Sequence, residues 1–132
     1  MKLYLLTDPI KWAWQRLTRG WDDRAVWSID SYLAELMPQL LRKLKEDKQG
    51  IPGSMFENPF DDMTPEIEAA ALAKWHGILD DLIDGFEAAD RLANLDYLGV
   101  TGDELDALIA EDTDIFCNGM VLLNKYFFDL WD

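Results

Sequence analysis

The segment TPEIEAAALAKWHGILDDLIDGFEAADRLAN, residues 64–94, decides the fold. Thr64 suits a helix cap, Pro65 suits the first helical position, and Glu66 lies near the positive helix end. Trp75, Ile78, Leu79, Leu82, Ile83, Phe86 and Ala89 then recur at three- and four-residue steps. That spacing is one apolar stripe of a long helix running from Pro65 to about Ala93 or Asn94.

The same periodicity extends on both sides. Downstream, Tyr97, Leu98 and Gly99 close the segment, and Thr101 with Glu104 forms a capping-box pattern. Leu105, Leu108, Ile109, Ile115, Phe116, Met120, Leu123, Tyr126, Phe127 and Leu130 keep one phase, which predicts a single helix over about 102–130. Gly119 inside it marks a close helix contact, since glycine there costs about 1 kcal/mol relative to alanine. Upstream, Thr7 or Asp8 with Pro9 predicts a short helix over about 9–19 that stops at Gly20. Residues 2–6 suit a short extended lead-in. A longer helix over about 23–48 is predicted from Val26, Ile29, Leu33, Leu36, Met37, Leu40, Leu41 and Leu44, with a kink or break at Pro38. Residues 49–63 read as a loop, with Met55, Phe56 and Phe60 packing on the body. The expected architecture is all-α: one domain over residues 1–132, a small up-and-down bundle of one short and three long helices.

Composition narrows the class. The chain has 132 residues, one cysteine and a net charge of −14. It is long enough to bury a core without metal or disulfide staples, and its single Cys117 excludes an internal disulfide framework. No apolar run approaches the roughly 20 residues of a membrane span, and the opening MKLYLLTDPIKW lacks the pattern of a secretory signal. A cytoplasmic protein is therefore expected. The charge is uneven: residues 1–50 carry nine basic and seven acidic side chains, residues 51–132 three basic and nineteen acidic. An acidic body of net −16 repels phosphate backbones, which argues against direct nucleic-acid binding. It suits a basic protein surface, or it is a solvated face that keeps the chain soluble.

Two constellations carry chemical interest. Asp80, Asp84 and Glu87 lie along one strip of the third predicted helix, with His76 one turn before and Arg91 one turn after. Such carboxylates can present an acidic partner-binding face or hold Mg²⁺. Helical nucleotide pyrophosphohydrolases of the MazG type use Glu-x-x-Glu followed by Glu-x-x-Asp. Glu87 and Asp90 match the second half, and no upstream pair matches the first. The plain alternative is an exposed helix face on which His76 pairs with Asp80. Cys117 reads as a small apolar core residue. Nothing assembles a nucleophile, a base and an oxyanion site, so no catalytic residue is assigned.

The second constellation packs four tryptophans and three arginines into residues 12–30. Trp12, Arg16, Arg19, Trp21, Arg24 and Trp27 are candidates for a small anionic ligand such as a nucleotide, because indoles and guanidinium groups stack on bases. The alternative is that Trp12, Trp21 and Trp27 clamp the first helix onto the bundle while the arginines pair with Asp22, Asp23 or Asp30. At the C-terminal end, Phe128 and Trp131 lie off the main stripe, which suits a second contact with the first helix or with another subunit.

WQRLTRGWDDRAVWSID over residues 14–30, PQLLRKLK over 38–45, the segment from Trp75 to Asp80 and KYFFDLW over 125–131 together resemble a family of small acidic proteins of tailed bacteriophages and prophages. The resemblance implies a setting, the cytoplasm of an infected bacterial host, and no mechanism. It leads to the expectation of a non-enzymatic accessory protein acting by protein–protein contact, such as an acidic inhibitor or nucleic-acid mimic directed at a host or defence protein. A nucleotide-binding or MazG-like hydrolytic protein is the alternative. A structural or assembly component, marked by homo-oligomers, is a third.

Overall fold

A computed structural model describes residues 4–47, 50–58 and 62–131. Among the described residues five α-helices follow one another: α1 (Tyr4–Arg19), α2 (Arg24–Trp27), α3 (Ile29–Asp47), α4 (Pro65–Asn94) and α5 (Gly102–Tyr126). Short 3₁₀ turns cover Gly53–Met55 and Phe127–Asp129. Among the described residues there is no strand, so the all-α class holds.

α4 is the middle of the molecule. Its entry is as the sequence implies: the Thr64 hydroxyl accepts from the Ile67 amide at 3.3 Å with Pro65 behind it. It ends at Leu95, which takes the left-handed conformation at φ +49° that glycine usually fills. α3 packs along one flank of α4 and α5 along the other, while α3 and α5 make no close backbone approach to each other. Both pairs run antiparallel. Lys45 meets Asp80 and Arg42 meets Glu87 across α3–α4, and Arg91 meets Asp112 across α4–α5.

The core lies on the stripe read from the sequence. Trp75, Leu79 and Leu82 are fully buried, joined by Ile78, Ile83, Phe86, Leu41 and Tyr126. The Tyr126 ring meets Trp75 edge-on at 6.2 Å. Pro52 and Met55 of the loop are buried and Phe56 packs beside them, so the loop lies on the body as expected. Phe60 lies outside the described residues. Where α4 and α5 cross, a Cβ on Gly85 would stand 3.0 Å from the Gly119 Cα, and the reverse holds equally. Gly119 is thus the close contact its cost implied.

The first third departs from the expectation. α1 begins at Tyr4, with Pro9 inside it. Residues 4–6 are therefore helical instead of extended, and Met1 to Leu3 lie outside the described residues. The proline ring removes one backbone bond near the helix start and leaves the later ladder intact. The helix expected over 23–48 is two. α2 is a single turn, and the chain breaks at Ser28 (φ −153°, ψ 83°) before α3 resumes. The Ser28 hydroxyl donates to Asp30 at 2.5 Å while its carbonyl accepts from Tyr32. Such local side-chain bonds compete with continuing the helix and favour a cap. Pro38 causes no break: α3 runs through it, and its ring is buried in the body, where apolar burial offsets the lost bond. The capping box at α5 is not made either. Thr101 gives no side-chain cap bond, and the left-handed Gly102 (φ +65°) turns the first residue away from the geometry that box requires.

Candidate functional site

α4 presents Asp80, Asp84 and Glu87 from one face, as their spacing dictates. The two outer members are engaged by α3. Lys45 Nζ donates to Asp80 at 2.7 Å, and Arg42 donates to Glu87. These pairs tie α3 to α4 across a cleft of about 520 Å³ that His76, Glu46, Ile83 and Asp84 also line. His76 faces this cleft, but the partner of Asp80 is Lys45, not the histidine.

Asp84 differs from its neighbours. Among the described residues it has no ion pair. Partial burial, followed by the nearby charges of Glu87, Asp81 and Asp80, pushes its carboxyl above the usual carboxylate range, and Arg91 only partly opposes them. Asp84 and Glu87 also line a second cleft, of about 240 Å³, on the α5 side with Asp81, Arg91, Ile115 and Asn118. The acidic strip is therefore a ridge between two clefts, with Asp84 the unneutralised carboxylate on its crest.

A Mg²⁺-dependent hydrolase of the MazG type requires a second acidic cluster facing this strip. The residues that do face it are Arg42, Lys45 and Glu46 from α3, and Ile115 and Asn118 from α5. No group of three or more ligating side chains is arranged around a metal position among the described residues. Two cations and a single carboxylate opposite the strip make a salt-bridged seam, which is poor ground for a doubly charged ion.

The tryptophan–arginine run folds into a turn built on two carboxylates. Asp22 is buried and accepts from Arg16 at 2.6 Å, from Arg24 at 2.8 and 3.0 Å, and from the Arg24 amide at 3.0 Å. Asp23 accepts from Gln15 at 2.9 Å and from Arg19 at 2.6 Å, with Lys11 at 3.1 Å. Hydrogen bonds from Arg24 and Arg16 hold Asp22 well below the usual carboxylate range, and those from Gln15, Arg19 and Lys11 do the same for Asp23. Arg19 lies over the Trp21 ring at 3.8 Å and Arg24 over Trp12 at 4.3 Å, and Trp12 meets Trp27 edge-on at 5.9 Å. A cleft of about 420 Å³ opens beside Arg16, Trp21, Arg24, Tyr32 and Glu35. An anionic ligand there would compete with Asp22 for both guanidinium groups.

The structure places these six residues together, but they do not clamp α1 to the bundle. α1 makes no close backbone approach to α3, α4 or α5. Trp14 and Trp27 are largely exposed. Cys117, read as core, is exposed on α5 instead: the buried phase passes through Phe116, Gly119 and Met120 and leaves position 117 outside. Phe128 is exposed, with its ring edge-on to Phe127 at 5.3 Å. No family model, curated protein or solved structure matches the chain.

One polar cluster was missed in the sequence. Asp112 is buried on α5 and receives a two-pronged bond from Arg91 at 2.7 and 2.9 Å and the Tyr97 hydroxyl at 2.6 Å. The signal was present, because Asp112 sits four residues before Phe116 on the apolar phase. An acid in that register needs a partner, and Arg91 lies just across the α4–α5 turn. The cluster is a strut between the two helices.

Proposed function

We propose that this chain is a non-enzymatic accessory protein of a tailed bacteriophage or prophage. It acts by protein–protein contact, offering its acidic ridge to a basic surface of a host or defence protein in the manner of a nucleic-acid mimic. The carrying observation is Asp84: a carboxylate with no ion pair among the described residues, crowded by Asp80, Asp81 and Glu87 on the crest between two clefts. Like charges held together store repulsion that a cationic partner relieves, so a lysine- or arginine-rich surface gains where a phosphate backbone is repelled. The surplus of nineteen acids over three bases in residues 51–132 extends that field beyond the ridge. The resemblance to small acidic phage proteins supplies the setting.

The test spares the acids that hold α3. Affinity capture from infected host cells is compared for the natural chain, Asp81→Lys with Asp84→Lys, and Asp103→Lys with Asp106→Lys. The last two carry the same change in net charge. A partner retained by the natural chain and by the 103/106 variant, and lost by the 81/84 variant, supports the reading. Equal capture by all three overturns it. A thermal-shift panel of Mg²⁺, Mn²⁺ and nucleotides runs beside it, because a ligand at 100 times its Kd adds about 2.7 kcal/mol to stability. A clear shift would move the assignment to the Asp22 turn or to the Asp80 strip.

A further inference from the structure

Gly20 has the makings of a hinge. It is a left-handed glycine (φ +85°) between α1 and α2, with open space where a Cβ would stand. Bonds across it remove that freedom. Arg16 and Arg19 before the glycine hold Asp22 and Asp23 after it. Gln15 grips Asp23 twice at 2.9 Å, its amide N–H donating to the carboxylate and its carbonyl accepting from the backbone N–H. Trp12 meets the Trp27 ring and lies under Arg24, so the two arms of the corner touch as well. Residues 11–27 are thus a braced elbow.

Its joint to the rest of the molecule is much thinner. Among the described residues, every ion pair of α1 ends on Asp22 or Asp23, and α2 adjoins α3 only as its neighbour along the chain. The link runs through Ser28, whose carbonyl starts the α3 ladder by accepting from the Tyr32 amide. Between the elbow and α3 lies the cleft of about 420 Å³. Arg16, Trp21 and Arg24 form its wall on the elbow. Ser31, Tyr32 and Glu35, which share one face of α3 at helical spacing, form the other.

The two walls attract each other. Residues 1–27 carry five basic and three acidic side chains, residues 28–132 seven basic and twenty-three acidic. A guanidinium group has five N–H donors. Asp22 takes one from Arg16 and two from Arg24, which leaves most of both groups unused beside the cleft. Glu35 stands exposed on the opposite wall and makes no ion pair among the described residues. We propose that the elbow is a lid. It pivots as one piece on Ser28, and closure brings the spare donors of Arg16 and Arg24 to the Glu35 carboxylate, which acts as the catch. Salt tells the lid from the elbow: the pairs on Asp22 are shielded because that carboxylate is buried, whereas the catch works across solvent. None of the acids on the α4 ridge takes part, so the lid is independent of the function proposed above.

Spin-label distance distributions on the full chain test it with two pairs of exposed positions. Leu17→Cys with the natural Cys117 reports the elbow against α5, and Leu17→Cys with Val26→Cys in a Cys117→Ser background reports the elbow within itself. Raising salt from 0.01 to 1 M cuts the screening length from about 30 to about 3 Å. The 17–117 distribution is expected to shift and broaden over that range, while the 17–26 distribution stays narrow. Glu35→Gln should give the broad 17–117 distribution already in low salt, with an unchanged helical circular dichroism spectrum. A 17–117 distance indifferent to both salt and Glu35→Gln overturns the lid. A 17–26 distribution that broadens together with 17–117 overturns the rigid elbow and puts the hinge at Gly20. Glu35 is exposed on α3, so its variant leaves the fold intact and keeps the test decisive.

Discussion

Gly85 and Gly119 meet backbone to backbone where α4 crosses α5, close enough that a methyl group on either would press on the Cα of the other at 3.0 Å. Alanine in a helix gains about 1 kcal/mol over glycine. Against backbone that cannot swing aside, overpacking costs about 1–3 kcal/mol. Gly85→Ala and Gly119→Ala should therefore lower stability by up to about 2 kcal/mol in urea unfolding. Gly77 on the same helix has open space at its Cβ position, so Gly77→Ala should raise stability by up to about 1 kcal/mol. Equal effects at positions 77 and 85 would mean that the crossing is not close.

Asp112 joins the two helices through Arg91 and Tyr97. Arg91 holds its carboxyl below the usual range, so its folded pKa is depressed. The stability it contributes is present above the ordinary carboxylate pKa near 4 and is lost as pH falls through the folded value. Asp112→Asn should cost about 1–3 kcal/mol at pH 7, towards the lower end because Arg91 still reaches solvent. Urea midpoints between pH 7 and pH 3 should then fall less steeply for the variant than for the natural chain.

Tyr97 moves the other way. Burial, then its bond to the Asp112 carboxylate, pushes its hydroxyl up to about 12. The bond supports the fold fully below pH 10, and the support disappears as pH rises through 12. An absorbance titration of tyrosinate should show a late-ionising step from Tyr97. Tyr97→Phe should remove that late step, and its persistence would assign it to another tyrosine.

Asp84 should be the acid whose neutralisation helps. Its folded pKa is raised, so its charge works against the fold at neutral pH and the penalty fades as pH falls through that value. Asp84→Asn should raise the melting midpoint at pH 7 in low salt, and 1 M salt should shrink the gain. Asp80→Asn and Glu87→Gln remove partners of Lys45 and Arg42 and should lower the midpoint slightly, each by at most about 1 kcal/mol. A fall at Asp84 would show that it is paired.

The long helices could be read from the sequence because their evidence is repeated. α4 and α5 carry many apolar residues in one phase, and a single odd position does not disturb the period. The α1–α3 region depends on single bonds. One buried carboxylate at Asp22 and one serine at Ser28 decide where that chain turns, and helical spacing is blind to both. The strip at Asp80, Asp84 and Glu87 was legible as a line on one face. That α3 would bring Arg42 and Lys45 to its outer members was not, because the register between two helices is set by packing. Cys117 shows the limit of composition: cysteine is usually buried, yet the phase of α5 turns this one outward.

The loop that covers only one half of α4 divides that helix by rate. Amides around Trp75 to Leu82 lie under a lid of packed side chains and should exchange with solvent only when the whole body opens. Those from Phe86 onward lie beside an open cleft and should exchange through smaller, more frequent excursions. One continuous helix would thus keep two clocks.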